Sequence, residues 1–305
     1  MEYTGERYVP NVVKSMVITL EHWHRYIMAS NFIKGKKVLD VACGTGYGSN
    51  MLSRTADSVV GGDISRDNIN YCNEIYDAEN LTFQVEDIEN LSFLDNSFDV
   101  VTCFETIEHV DEETQKRALS EIKRVLKPKG VLLITTPNVD SKHYAGVDNE
   151  FHIKELDKLE FSDILSKNFK NVRFSSQFQS SCSFILPLNA SEKKHTRFLK
   201  KNKAPTFAKI NLECEVNSVT VYEGKFFIAG CSDGEVSLLE SSTLLDDDNS
   251  LYKEYDSHIA SLQETLGMKD EIIAESNLYI HSLKQAIEEK DEIIRKLIKE
   301  LKDSD

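Results

Sequence analysis

Four side chains have the types and spacing to do chemistry together. They are Glu105, Glu108 and His109, in the run Phe104-Glu105-Thr106-Ile107-Glu108-His109-Val110, and His152, in Glu150-Phe151-His152-Ile153. On a helical turn, positions i, i+3 and i+4 share one side, so the two carboxylates and the first imidazole are expected to converge. An imidazole beside a hydroxyl group serves as a general base near neutral pH. Two carboxylates with two imidazoles also form a ligand set for a divalent cation such as Mg, Mn or Zn, which would lower the pKa of a bound hydroxyl. A metal-free reading, in which the histidine positions substrate, and a metal-assisted one both fit these residues.

A second set suits a nucleotide-containing cofactor. Cys43-Gly44-Thr45-Gly46-Tyr47-Gly48 follows the apolar run Val38-Leu39-Asp40-Val41-Ala42. A glycine loop between a strand and a helix exposes backbone N–H groups and admits a ligand where no side chain intervenes. The GxGxG spacing is one residue short of the dinucleotide GxGxxG, whose third glycine lies where helix packs on strand. Asp63 ends the next apolar run, Ser58 to Asp63, at the distance from the loop where an acid accepts both hydroxyls of an adenosine ribose.

These residues need a scaffold that brings several strand ends to one edge. Strands are predicted at 38–42, 58–63, 81–85, 98–104 and 130–136, with helices at 68–76 and 113–126 between them. Such βαβ alternation gives right-handed crossovers and a parallel, doubly wound sheet. Segments 172–178 and 225–231 are read as a closing strand pair, completing seven strands, around an irregular insertion at 179–223 that is a lid, a dimer contact or both. A helix over 16–32 precedes the first strand, where it can cap the cleft. The expected domains are an N-terminal helical arm at 1–34, the α/β domain at 35–240 and a coiled coil at 241–305.

The tail repeats every seven residues. Leu245, Tyr252, Ile259, Leu266, Ile273, Ile280, Ile287, Ile294 and Leu301 fill one heptad position, with Tyr255, Leu262, Leu283 and Leu297 three residues after four of them. Lys269-Asp270-Glu271-Ile272-Ile273 recurs as Lys290-Asp291-Glu292-Ile293-Ile294, an offset of three heptads. Ile at a with Leu at d favours a parallel dimer; Lys269, Ser276 and Lys290 at d weaken that seam, and Ile272 and Ile293 broaden it, so a trimer stays open.

Taken together, the motifs resemble the class I, Rossmann-like S-adenosylmethionine-dependent methyltransferases. Val38 to Gly46 is similar to that family's first motif, and Glu86-Asp87-Ile88 to its adenine loop. Ser97-Phe98-Asp99-Val100-Val101 resembles its fourth strand, and Arg124 to Gly130 the turn into its fifth. The resemblance implies S-adenosylmethionine as cofactor. Gly44 and Gly46 would pass under the methionine moiety, Asp40 would orient its amino group, Asp63 with Ile64 beside it would hold the ribose end, and Asp87 with the Ile88 backbone would read the adenine. Arg25 would pair with the methionine carboxylate or else be a surface arginine. Glu105, Glu108 and His109 with His152 resemble the metal tetrad of small-RNA terminal-ribose 2′-O-methyltransferases, and the ExxEH part also recurs in ubiquinone-pathway O-methyltransferases. The segments Tyr3 to Pro10 and Glu21 to Tyr26 resemble bacterial methyltransferases that work among surface-polysaccharide enzymes. That likeness implies a sugar or glycan hydroxyl as acceptor, with the coiled coil setting oligomeric state or docking to glycan-assembly enzymes. Quinone, natural-product and RNA ribose O-methylation are the alternatives, and a coiled-coil scaffold with a vestigial methyltransferase fold is a reading of another class.

Composition narrows these choices. The chain of 305 residues has 40% hydrophobic residues and a formal charge of -15. From Ser241 onward, 8 Lys and Arg face 16 Asp and Glu, so -8 of that charge lies in the tail and -7 in the rest. Nucleic-acid binding draws on Lys and Arg against phosphate, so this balance argues against RNA apart from the basic stretch Lys193 to Lys203. The six cysteines show no CxxC pair, which reads as buried thiols in a reducing compartment. MEYTGERYVP lacks a basic region before an apolar run, and no stretch approaches the roughly 18 apolar residues of a bilayer span, so a cytoplasmic location is expected, at most peripheral to a membrane-bound assembly.

Overall fold

A computed structural model of the chain describes residues 8–10, 12, 15–141, 149–177, 179, 196–198, 207–210, 224–236, 243–246 and 250–302. The chain divides into two compact units, Met1–Asp248 and Asn249–Asp305. In the first, α1 (Met16–Ala29) leads to β1 (Lys37–Val41), α2 (Tyr47–Leu52), β2 (Ser58–Asp63), α3 (Arg66–Ile75), β3 (Leu81–Val85) and β4 (Phe98–Cys103). A 3-10 turn (Ile107–His109), α4 (Glu112–Val125), β5 (Leu126–Pro137), α5 (Lys158–Asn168) and β6 (Asn171–Gln177) follow, then β7 (Thr196–Phe198), β8 (Phe207–Ile210), β9 (Phe226–Ser232) and β10 (Thr243–Asp246). The second unit holds α6 (Ser250–Lys302).

Seven strands form one sheet in the order β3-β2-β1-β4-β5-β9-β6. The strands from β1 to β5 pair in parallel, whereas β9 runs antiparallel to both β5 and β6. Strand order reverses between β1 and β4, and the crevice outside the carboxyl ends of strands at such a switch point is where α/β sheets bind ligands. Each face of the sheet carries its own apolar cluster. Leu39, Val101, Leu132 and Phe227 belong to one, together with Leu119 and Ile122 of α4; Val38, Val59, Val100 and Leu133 belong to the other, together with Leu52 of α2. Side chains alternate across a strand, so neighbours such as Val38 and Leu39 serve opposite faces. The helices begin where their caps dictate. Asp111 accepts from the Thr114 N–H, and Asp157 forms a reciprocal capping box with Glu160.

Several expectations change. Strand β5 starts at Leu126, directly out of α4, and its pairing with β4 shifts register between Phe98 and Val100. The arm at 1–34 falls within the same compact unit as the sheet, with Arg25 to Ala29 buried. Leu245 does not open the heptad helix: it lies in β10, which pairs antiparallel with β8 in a separate three-stranded sheet. A helix here would have to run through Asp246-Asp247-Asp248-Asn249, residues that compete with helical hydrogen bonding, and α6 starts just after them. Most of the 179–223 insertion and of the basic stretch, along with Tyr3 to Arg7, lies outside the described residues.

Helix α6 is 53 residues long. Ile259, Leu262, Leu266, Ile273, Ile280, Leu283, Ile287 and Ile294, the heptad side chains described there, are all exposed. No helix among the described residues is long and apolar enough to cross a membrane. Cys43, Cys72, Cys103 and Cys231 are buried free thiols; Cys182 and Cys214 lie outside the described residues.

Candidate active site

The three loop glycines answer to different constraints. Gly44 (φ +55°) and Gly46 (φ +71°) take left-handed backbone, which a side chain disfavours. A Cβ on Gly44 would meet nothing within 4 Å, whereas one on Gly46 would lie 2.7 Å from Cys72 Sγ and 2.8 Å from the Phe83 ring. Gly48 is in α2, and its constraint is packing: a Cβ would lie 1.9 Å from Cζ of Tyr26. The open side of the loop is therefore at Gly44. Asp63 is joined to that end, with Oδ2 accepting from the Gly44 N–H at 2.9 Å and Oδ1 from the Ser65 N–H at 2.9 Å and Asn68 Nδ2 at 3.2 Å. Ile64 beside it is 64% exposed, and Asp87 caps its own turn by accepting from the Glu89 N–H, with Ile88 half-buried next to it.

Asp40, to which the resemblance gives the methionine amino group, is buried. Its buried carboxylate accepts from Thr102 Oγ1 and Ser49 Oγ, each at 2.6 Å, and from the Tyr26 hydroxyl at 3.2 Å. Burial pushes its pKa up and the hydroxyl donors oppose that shift. Asp40 thus ties α1, α2 and β4 together beneath the loop.

Helix α1 and Tyr8 cover this region. The His22 ring stacks on Tyr8 at 4.6 Å and its Nδ1 lies 2.9 Å from the Tyr47 hydroxyl, while Thr45 Oγ1 donates to the Tyr8 carbonyl. Enclosure by these rings holds the His22 pKa well below its ordinary value, with Arg25 and Lys225 adding to the effect. Arg25 is not a surface arginine but 1% exposed. Its Nε donates to Gln177 Oε1 at 2.9 Å, its guanidinium lies 4.2 Å from the centre of the Phe226 ring, and Nη2 stands 3.5 Å from Glu105 Oε2. Neither Nη has a hydrogen-bond partner among the described residues, although both are buried. A buried guanidinium with unmet donors fits a carboxylate, which can accept two parallel N–H bonds.

Glu105 follows β4 with φ +49°, a left-handed conformation that is costly for a residue with a side chain. Thr135 holds it there, accepting from the Glu105 N–H at 3.0 Å and donating its own hydroxyl to Oε1 at 2.8 Å. The helical geometry expected of Glu105, Glu108 and His109 is therefore corrected: the 3-10 turn begins only at Ile107, and Glu105 turns to Arg25 and Thr135. Glu108, His109 and His152 do converge, with ligand-capable atoms all within 4.8 Å of one another. The two imidazole rings lie 4.9 Å apart at nearly a right angle. Glu108 is 1% exposed, and burial, reinforced by the charge of Glu105, pushes its pKa well above the usual carboxylate range.

His152 reaches this position because its loop is docked by backbone. The Glu108 carbonyl accepts from the N–H groups of Ile153 (2.9 Å) and Lys154 (3.1 Å), and His109 Nδ1 meets the Phe151 carbonyl at 3.0 Å. Gln115, fully buried on α4, donates to the carbonyls of Ile107 and Lys154, both at 2.9 Å. Gln115, Thr135, Asn149 and Glu155 were not singled out by their spacing, because none belongs to a periodic pattern or a glycine motif.

The open glycine loop, the acid at the end of β2 and the buried Arg25 guanidinium, whose Nη atoms make no hydrogen bond among the described residues, together fit S-adenosylmethionine. Residues 39–134, from β1 through most of β5, match the family model described as "Methyltransferase domain". The chain carries a methyltransferase domain. That methyltransferase domain is similar to a protein of Mycolicibacterium smegmatis named "Probable S-adenosylmethionine-dependent methyltransferase", with 32% identity over 165 residues that cover 53% of this chain and 62% of that protein. It is 34% identical over 122 residues to a ubiquinone biosynthesis O-methyltransferase of Coxiella burnetii, covering 39% of this chain and 51% of the relative. The chain thus spans between half and two thirds of these relatives. Among solved structures, a methyltransferase from Aquifex aeolicus is 22% identical with a TM-score of 0.42, covering 51% of this chain and 82% of that one.

Proposed function

We propose that this protein methylates a hydroxyl oxygen of a sugar or glycan, with S-adenosylmethionine as donor. The observation that carries O-methylation is the pair of facing imidazoles, His109 after β4 and His152 after β5, on the carboxyl edge of the sheet from which the glycine loop also leaves β1. When bound, S-adenosylmethionine supplies a methyl group on a sulfonium sulfur, and the sulfur keeps the electron pair of the broken bond. Gly44 leaves room for the donor and Gly46, packed against Cys72 and Phe83, shapes the turn beneath it; Asp63 accepts from its ribose hydroxyls with Ile64 alongside, Asp87 and the Ile88 backbone take the adenine, and Arg25 takes the carboxylate. Asp40 acts through the loop that it braces.

Methyl transfer needs in-line positioning and removal of the acceptor proton. His109 and His152 are the candidates for that proton. A carbonyl only accepts, so the Nδ1 of His109 facing Phe151 carries hydrogen and Nε2 is its basic nitrogen. Glu105 orients Arg25, and Glu108, whose pKa burial raises, lies beside the two imidazoles.

The sugar acceptor rests on the likeness of Tyr3 to Pro10 and Glu21 to Tyr26 to surface-polysaccharide methyltransferases. Labelled methyl transfer across nucleotide sugars, oligosaccharides, catechols and short RNAs, with Asp63→Ala as the inactive control, tests it. Label in the carbohydrates supports the reading, and label confined to catechols or RNA overturns the acceptor class. Absence of S-adenosylmethionine binding at millimolar concentration overturns the enzyme reading in favour of a scaffold.

A second reading of the same site places a divalent cation on Glu108, His109 and His152, favoured by the approach of their ligand atoms to within 4.8 Å. Glu105 is outside this set. Loss of transfer in chelator, with rescue by Mg, Mn or Zn, separates it from the metal-free reaction. The exposed stripe of α6 supports pairing with a second copy of the chain, which could dock the enzyme among glycan-assembly partners.

A further inference from the structure

We propose that Glu155 is a positioning residue for His152, fixing the tautomer that presents Nε2 as the basic nitrogen. The inference rests on His152 serving the reaction proposed above. A chain of donors and acceptors carries it. The Phe151 N–H donates to Asn149 Oδ1 at 3.1 Å, which settles the amide's orientation and turns Nδ2 toward His152. Asn149 Nδ2 lies 2.9 Å from His152 Nε2, and an amide NH2 can only donate, so Nε2 holds a lone pair. The hydrogen of the neutral ring then sits on Nδ1, where the Glu155 Oε1 lies 2.5 Å away and can only accept. Every group in this chain has the role that its neighbour demands.

An ordinary surface pair three residues apart would not look like this. The His152 side chain is 9% exposed, and its loop is clamped by the Glu108 carbonyl on one side and Gln115 on the other. Glu155 is the outer member, with its side chain 32% exposed, while the imidazole faces His109.

The chemical consequence is specific. As the acceptor arrives, its hydroxyl takes the place of the Asn149 amide at Nε2. The acceptor O–H bond would break with its proton passing to Nε2, while the oxygen takes the methyl group from the donor and the sulfur–methyl bond breaks, leaving its electron pair on sulfur. The ring becomes an imidazolium with both nitrogens protonated, and the Glu155 carboxylate stands against the positive charge. If a cation is held instead, the same contact orients His152 from the outer shell, where such partners are worth about 10- to 100-fold in metal affinity or activity.

Histidine 15N spectra of the full chain at pH 8, without any acceptor, test the tautomer directly, with His152 identified by its loss in His152→Asn. The wild type is expected to show His152 protonated at Nδ1. Glu155→Ala should shift it toward the Nε2-protonated form and Glu155→Asp should retain it. A wild-type ring protonated at Nε2, or a tautomer unchanged by Glu155→Ala, would overturn the assignment. Calorimetry with S-adenosylmethionine should give a Kd within about twofold of wild type for each variant, which confirms that the domain has folded. On the acceptor identified by the labelling panel, Glu155→Ala should lower kcat about 10- to 100-fold with KM little changed; a change confined to KM would overturn the positioning role. Failure of the panel would remove the proposed reaction but leave the spectroscopic result standing, so the two readings fail separately.

Discussion

The ring of Tyr26 occupies the space where a side chain on Gly48 would begin, and its hydroxyl reaches Asp40 from the same position. One aromatic residue of α1 thereby fixes both the helix that follows the glycine loop and the acid beneath it. Gly48→Ala should destabilise the domain by about 1–3 kcal/mol, the usual cost of overpacking a filled core, as read from the urea midpoint. Replacing Tyr26 with Ala in the same chain should relieve the clash, so that the two substitutions together cost less than the sum of each alone. Additive losses would show that the two residues do not compete for this space.

Arg25 provides a test of the donor site that requires no acceptor. Arg25→Gln keeps a polar side chain but removes the charge and the fork of donors. Hydrogen bonds to charged groups contribute about 1.5–3 kcal/mol, so S-adenosylmethionine affinity should fall about 10- to 150-fold by calorimetry. An unchanged Kd would place the methionine carboxylate elsewhere.

His22 makes the cover over the loop sensitive to acid. Its folded pKa lies below the ordinary 6.5, so the unfolded chain binds a proton that the folded chain refuses. This contribution to stability is complete above the unfolded value and is lost as pH falls from about 6.5 toward the depressed folded value. Between pH 7.5 and 5.5 the loss approaches about 1.4 kcal/mol for one group. His22→Gln should show that much less acid destabilisation than wild type in parallel denaturation curves. Identical pH profiles would mean that His22 titrates normally.

Self-association of α6 can be measured on the whole chain. The heptad stripe should give a dimer or trimer in sedimentation velocity at micromolar concentration. Ile273→Glu with Ile280→Glu should return a monomer that still binds S-adenosylmethionine. A wild-type monomer at 100 µM would reject pairing through this helix.

Much of the donor half of the site was legible in the sequence because its signals are local. A strand, a glycine loop and an acid at the next strand end are separated by short, regular intervals, and the Gly44 N–H donates to Asp63. The acceptor half was harder to read. Glu105 departs from the helical template because Thr135, thirty residues away, holds it in a left-handed conformation that sequence spacing does not reveal. Gln115 reads as a surface residue of an amphipathic helix, yet it is buried to satisfy carbonyls of two loops. Arg25 meets Gln177 and Phe226, contacts that span most of the domain. Leu245 satisfied a heptad by position alone, and strand pairing with Ala208 overrode it.

The docking of the 149–155 loop onto the 3-10 turn carries a consequence for redesign. Its anchors near His152 are largely main-chain atoms, the Glu108 and Phe151 carbonyls and the Ile153 and Lys154 N–H groups, with Gln115 and His109 as connecting side chains. Main-chain anchors are indifferent to the identity of the residues that supply them. The segment is in this sense an interchangeable cassette: Glu150 and Ile153 can be varied to seek new acceptors while Gln115, Glu108 and the whole donor half are left as they are.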